Sequence, residues 1–237
     1  MIVSLQLTFL SQGNFSKFYE RSKRKKIENN KKIQYMEKNF YDYLKIHNTE
    51  ELRSTVLSEE SIERLNDCAR MVKLSKGEML QVEGTTSQIW GFVSEGLIRI
   101  YYKKEEAEIT DQLSHEGNDF IDYESYFKEV PSICNIQTIE PSVVFIFKKK
   151  ELEEVCKIDK DIKKLFSTLK KKNLLKLRER LNDSVFEPAK VKFATLMEKT
   201  PQFVLRVPSI FIASYLGITP ETLSRIRAKM KLDERRV

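Results

Sequence analysis

The spacing of apolar positions changes along the chain. After a polar, Lys-rich opening, residues 38–70 repeat apolar side chains at helical intervals: Phe40, Tyr43, Leu44 and Ile46, then Leu52, Val56 and Leu57. Recurrence at three and four residues marks one face of an amphipathic helix. Ser58 precedes Glu59, Glu60 and Ser61, and its hydroxyl suits the N-cap of a second helix whose buried side is Ile62, Leu65 and Met71. From about 71 to 150 the period shortens. Met71–Leu74, Met79–Val82, Trp90–Val93, Leu97–Tyr102, Glu108–Leu113, Ile133–Thr138 and Val143–Phe147 read as strands, parted by turn residues such as Lys76–Gly77, Glu83–Gly84, Glu95–Gly96 and Glu116–Gly117. Many short strands at even spacing predict a sandwich or barrel.

After Lys148 the helical period returns. Lys149–Val155 predicts a short helix. A long one follows, with Asp159 as its N-cap and Ile162, Leu165, Phe166, Leu169, Leu174, Leu177 and Leu181 as its apolar positions, broken at Lys170–Lys172. A helix about 25 residues long cannot bury such a stripe by itself. Packing against a symmetry mate is one solution, and lying on its own domain's core is the other.

The segment from Pro208 to Lys229 carries the most specific pattern. Pro208 suits a first helical turn, and Ile212, Ala213 and Leu216 form an inward face on which small Ala213 permits a close crossing. Gly217 supplies the positive-φ residue of a tight turn, and Ile218 anchors that turn. Thr219 is an N-cap, Pro220 fits the first helical position and Glu221 favours the positive helix end. Leu223 and Ile226 bury the second helix, which leaves Glu221, Thr222, Ser224, Arg225 and Lys229 on other faces. Every position agrees with a helix-turn-helix register.

Charge supports that reading once it is located. The 237 residues carry a net +7 that is unevenly spread. Residues 1–35 hold 8 Lys/Arg against 2 Asp/Glu, residues 36–159 hold 15 against 25, and residues 160–237 hold 19 against 8. The acidic middle and basic C-terminal part suggest separate tasks, the latter facing a polyanion. The opening 35 residues read as a basic disordered tail or as a leader upstream of a start at Met36, with no secretory signal. No apolar run approaches the roughly 18–20 residues of a membrane span. Cys68, Cys134 and Cys156 lie far apart without a CxxC pair, which points away from a disulfide framework or zinc ribbon and towards the reducing cytoplasm. No nucleophile elbow, P-loop, HExxH or paired catalytic constellation occurs, so no catalytic residue, metal site or cofactor is expected and the chain is not read as an enzyme.

The stretch Ile212-Ala-Ser-Tyr-Leu-Gly-Ile-Thr-Pro-Glu-Thr-Leu-Ser-Arg-Ile-Arg resembles the helix-turn-helix of the Crp/Fnr transcription regulators (catabolite-activator-like proteins). The resemblance covers about residues 38–231. It implies an α+β fold: N-terminal helices and a double-stranded β-helix (β-roll) sensor domain over 36–156, a dimerisation helix over 157–183, and a helix-turn-helix DNA-binding domain over 184–237. That family commonly has a β-wing after the recognition helix. Here Lys231–Val237 is too short for a hairpin, so a reduced or absent wing is expected.

Carried over by position, the resemblance implies a homodimer reading a palindromic operator in double-stranded DNA with the recognition helix 220–230. Arg225 would donate to a guanine edge, Glu221 would accept from a cytosine or orient Arg225, and Ser224 would lie between them. Thr219 and Thr222, with the helix N-terminus, would bond phosphate, while Arg227 and Lys229 would meet the backbone. RNA polymerase is a candidate further partner.

Cyclic-nucleotide-binding members use a Gly-Glu cap segment and an Arg before a Ser/Thr. Here Asp122 stands where Gly is expected, and no Arg occurs from 100 to 177, so the effector is not expected to be a cyclic nucleotide. Trp90, Asp122, Tyr123, Tyr126, Phe127 and Cys134 are the candidate pocket residues for another small-molecule effector, if there is one. A small-molecule-binding or protein-interaction module of the same fold without DNA binding is the competing reading.

Overall fold

Ile89–Glu95 and Ser142–Lys148 carry bulky side chains at consecutive positions, and the computed structural model shows both to be central strands covered on both faces. The structure describes residues 39–47, 50 and 55–234. The basic opening segment 1–35 and Leu52 lie outside the described residues. Residues 36–181 fall in one compact unit and residues from 182 onward in another.

In the first unit, α1 (Phe40–His47) and α2 (Glu59–Cys68) precede β1 (Arg70–Leu74), β2 (Met79–Gln81), β3 (Ile89–Glu95), β4 (Ile98–Lys104), β5 (Ala107–Ser114) and β6 (Asp119–Phe120). The short α3 (Tyr123–Lys128), β7 (Cys134–Thr138), β8 (Ser142–Lys148), α4 (Lys149–Ile158) and the long α5 (Lys160–Phe186), which belongs to this unit as far as Leu181, follow. The strands form two four-stranded antiparallel sheets, ordered β1-β8-β3-β6 and β2-β7-β4-β5. The expected strands are all present. The two-residue β6, too short for a period of its own, is an addition.

Alternation along the strands divides the core in two. Leu74, Val93, Ile98, Ile100, Phe120, Ile136 and Val144 form the β-roll interior. The next residues along β3 and β8 point the other way: Trp90, Phe92, Phe145 and Phe147 meet Phe40, Tyr43 and Leu44 of α1, Leu65 of α2, Leu152 of α4, and Ile162, Leu165, Phe166 and Leu169 of α5. The rings meet mostly edge to face, Phe40 on Phe147 at 4.6 Å and Phe147 on Phe166 at 5.0 Å between centroids, the arrangement that the ring quadrupole favours.

Helix ends follow the sequence closely. Ser58 accepts from the Ser61 amide at 3.1 Å. Asp159 caps α5 by accepting from the amides of Asp161 and Ile162, both at 3.0 Å. It also accepts from the Ser61 hydroxyl at 2.7 Å and pairs with Arg64 at 3.4 Å, so one carboxylate ties α2 to the start of α5. Burial alone would raise its pKa, but these donors outweigh it and hold the carboxyl below its ordinary value.

Two apolar positions depart from the helical reading. Val56 is 86% exposed in the connection before α2, and Met71 lies on β1, 43% exposed, rather than on the buried side of α2. Val56 lies in a connection whose inward residues are Thr55 and, in part, Leu57, and Met71 is placed by β1 rather than by the helical period.

Gly96 holds β3 to β4 at φ +100°, and a Cβ there would lie 2.7 Å from the Cα of Ser142, which is backbone and cannot rotate away. Gly96→Ala should therefore destabilise the β-roll by about 2–4 kcal/mol, since it adds backbone strain to overpacking. Urea unfolding followed by the fluorescence of Trp90, the chain's single tryptophan, would measure it.

Candidate nucleic-acid interface

The second unit contains α6 (Ala189–Lys199), α7 (Pro201–Arg206), α8 (Ser209–Leu216) and α9 (Pro220–Glu234). Its interior is made of apolar side chains from all four helices. Phe193 and Met197 come from α6, Phe203 and Val204 from α7, Ile212, Ala213 and Leu216 from α8, and Leu223 and Met230 from α9, all buried. The expected inward residues of α8 and Leu223 are among them, while Ile226 is only half-buried.

The turn between α8 and α9 is built by Gly217 at φ +68°. Its amide donates to the carbonyl of Ser214, and the Ile218 amide reaches back to that of Ala213 at 3.0 Å, a closure that satisfies the carbonyls left open at a helix end. Thr219 then accepts from the Thr222 amide at 3.2 Å, the N-cap bond expected of it. The direction in which α9 leaves the turn is therefore set by backbone chemistry at two adjacent points.

On α9, Glu221, Ser224, Arg225 and Lys229 are exposed. Their spacing of three, four and eight residues from Glu221 places them on one face. The Arg225 guanidinium donates to the Thr222 hydroxyl at 3.2 Å, so it lies along the helix within reach of Glu221. Bonding to its own backbone amide, the Thr219 hydroxyl and the nearby Arg225 charge hold the Glu221 carboxyl below its ordinary value, so it is an acceptor at neutral pH. The face thus presents an acceptor at its N-terminal end and guanidinium and ammonium donors further along.

Arg227 is the exception. It donates to the Ser209 hydroxyl at 2.6 Å and lies over the Phe193 ring at 5.4 Å from its centroid, and burial lowers its pKa. It ties α9 to the start of α8 and to α6 rather than extending the exposed face. Sequence spacing could not distinguish it from its neighbours, because the ring it covers lies 34 residues earlier.

The expected pocket residues divide into two sets within the first unit. Trp90 and Tyr126 are buried in the helix-covered aromatic core, and Tyr123 packs against it. Phe127, 44% exposed, meets Tyr126 at 5.0 Å and Tyr123 at 6.1 Å. These four rings pack on one another in a chain from Trp90 to Tyr123, and Lys170 lies 4.0 Å over Phe127.

Asp122 and Cys134 belong to a separate polar network. Asp122 caps α3 by accepting from the Ser125 amide at 3.2 Å, and its other oxygen accepts from the Ser132 hydroxyl and from Gln81 at 3.1 Å. The Cys134 amide donates to Ser132, and burial, with Asp122, Asp111 and other acids nearby, pushes its thiol up to about 12, which leaves it a protonated, unreactive group. Gln81 and Ser132 were not singled out from sequence, since a polar residue on a strand gives no sign of which partner it will meet. Among the described residues, no three His, Cys, Asp or Glu side chains gather in a way that would hold a metal ion, and no helix is long and apolar enough to cross a membrane.

The model of the cyclic nucleotide-binding domain family matches residues 71–159, from β1 to the cap of α5. Among solved structures, the fold is similar to FixK2 from Bradyrhizobium japonicum, with 19% identity, a TM-score of 0.60, and coverage of 69% of this chain and 85% of that one. It is also similar to the c-di-GMP-responsive global regulator CLP from Xanthomonas campestris, with 12% identity, a TM-score of 0.59, and coverage of 74% and 93%. Comparison with curated protein sequences gives no match. The chain therefore has a β-roll of the cyclic nucleotide-binding type, and at these identities its likeness to FixK2 and CLP is one of fold.

The contacts of Arg227 lead to a stability prediction. Arg227→Ala should lower the stability of the C-terminal unit by about 1–2 kcal/mol, through loss of a hydrogen bond and a cation–π contact. Thermal unfolding monitored by circular dichroism would test this, and a variant that melts like the parent would show that the side chain has no structural role.

Proposed function

We propose that the protein is a dimeric, sequence-specific DNA-binding transcription regulator of Crp/Fnr type. The observation that carries this reading is the exposed Glu221–Ser224–Arg225–Lys229 face of α9, leaving a turn closed by Gly217 and capped by Thr219. A recognition helix that enters the major groove needs such a face, with a guanidinium for guanine edges and an acceptor beside it. Thr219 and Thr222 suit phosphate contacts at the helix N-terminus, and Lys229 suits the backbone further along. The likeness in fold to a protein described as a global regulator adds to it, and the net +11 of residues 160–237 provides the electrostatic part.

In this reading 36–156 is the regulatory β-roll, 157–183 the dimerisation helix and 184–237 the DNA-binding domain of a cytoplasmic regulator. Leu174, Leu177 and Leu181 are 43–66% exposed and form the surface offered to a second copy, whereas Ile162, Leu165, Phe166 and Leu169 are used within the chain's own core. The effector is not a cyclic nucleotide. Asp122 and the buried Asp119 bring carboxylates to the region around α3, and the Ser132 hydroxyl already donates to Asp122. An anionic phosphate would meet these carboxylates, and no Arg occurs from 100 to 177 to hold it.

The test is a gel shift and footprint with promoter DNA from the protein's own locus. A palindromic footprint and a steep fall in affinity with salt are expected. Arg225→Ala should cost about 1–3 kcal/mol of binding and relax specificity at one base pair per half-site. Equal operator affinity of parent and variant would refute the role of Arg225, and absent or salt-insensitive binding would favour a module that does not act on DNA.

A further inference from the structure

One face of α5 changes character halfway along. Ile162, Phe166, Leu169, Asn173, Lys176 and Arg180 recur at alternating intervals of four and three, so they share a stripe. Its first half is apolar and buried against the aromatic layer of β3 and β8. Its second half reaches the same β-roll through polar groups. Asn173 donates to the carboxylate of Asp119 on β6, Lys176 donates to the side chain of Asn118 at 2.9 Å, and Arg180 lies 3.6 Å from the carboxylate of Asp111 while donating to its carbonyl. Leu174, Leu175, Leu177 and Leu181 are left exposed on other faces. Residues 173–181 are thus seated by hydrogen bonds and charge where residues 162–169 are seated by packing.

The centre of this polar half is Asp119, only 7% exposed. It accepts from the Trp90 indole at 2.8 Å as well as from Asn173, which joins a β-roll strand and α5 at one carboxylate. We propose that Asp119, Trp90 and Asn173 form a proton-sensitive latch that holds residues 173–181 of α5 on the β-roll or releases them.

The direction of the response follows from solvation. The titratable groups facing Asp119 are Lys176 of α5 and Tyr123 of α3. Burial raises the pKa of Asp119 despite the donors Trp90 and Asn173 and the Lys176 charge. In a released state the same carboxyl meets water and returns towards its ordinary value. The closed state therefore binds the proton more tightly, so acid favours closure, and rising pH drives release as pH passes from the ordinary carboxylate range through the raised value. Closing takes up one proton on Asp119, and opening returns it to solvent.

Trp90 is the chain's single tryptophan and touches the latch directly, so its emission reports on it. The experiment follows the full chain from mildly acidic to mildly alkaline pH by Trp90 fluorescence and by amide hydrogen exchange. In the parent, Trp90 emission is expected to shift to the red in one transition. Over the same transition, amides 173–181 should lose protection while 162–169 keep theirs. Asp119→Asn, neutral at every pH, should show no transition and keep the acid-side emission. Asn173→Ala should lower protection of 173–181 at every pH without affecting 162–169.

A pH-independent Trp90 signal in the parent, the same transition in Asp119→Asn, or parent-like protection of 173–181 in Asn173→Ala would overturn the proposal. None of these measurements involves DNA, so the latch can fail while the DNA-binding reading stands, and the reverse.

Discussion

The rest of the first unit depends on the burial of both faces of the β1-β8-β3-β6 sheet. Trp90, Phe92, Phe145 and Phe147 stand on the side away from the β-roll interior, and an exposed layer of four aromatic rings would be costly in water. Helices α1, α2, α4 and the first half of α5 cover it, with Tyr126 of the short α3 against Trp90. The caps of α2 and α5 show how these two helices are held. A single carboxylate, Asp159, closes α5 while bonding Ser61 and Arg64 of α2. The long helix is thereby tied to α2, and Ile162, Leu165, Phe166 and Leu169 seat it on the sheet before its exposed half begins.

That anchoring separates what α5 does within the chain from what it offers outside it. The apolar stripe expected from spacing is two surfaces. Ile162, Leu165, Phe166 and Leu169 complete the aromatic core, and Leu174, Leu177 and Leu181 stay in solvent. The change occurs where the packed face turns from Leu169 to Asn173, opposite the buried Asp119. A polar contact of this kind is directional and sensitive to the state of its acceptor, whereas the apolar contact before it tolerates only a tight fit. The same helix thus has a fixed portion and a portion whose attachment depends on a titratable group.

In the C-terminal unit the logic is local. Gly217, Ile218 and Thr219 determine how α8 gives way to α9 through three short-range hydrogen bonds, and each was legible because turn and cap chemistry depends on neighbours a few residues away. Arg227 shows where this legibility stops. It lies one helical turn from exposed neighbours and reads as another basic residue of the face, yet Ser209 and Phe193 claim it. The same holds in the β-roll for Gln81 and Ser132, whose partner Asp122 is 41 and 10 residues away.

Local rules therefore account for the strands, their Gly-bearing turns, the caps at Ser58, Asp159 and Thr219, and the register of α8 and α9. These depend on backbone conformation and on side chains within about one turn of each other. Only the tertiary structure decided which apolar faces meet the chain's own sheet and which remain exposed, that the candidate pocket aromatics pack on one another, and that Asp119 and Asn173 converge from positions 54 residues apart. Those outcomes depend on which distant surfaces share a layer. Periodicity gives the direction of a face, but the partner of that face is chosen by packing and desolvation across the whole unit.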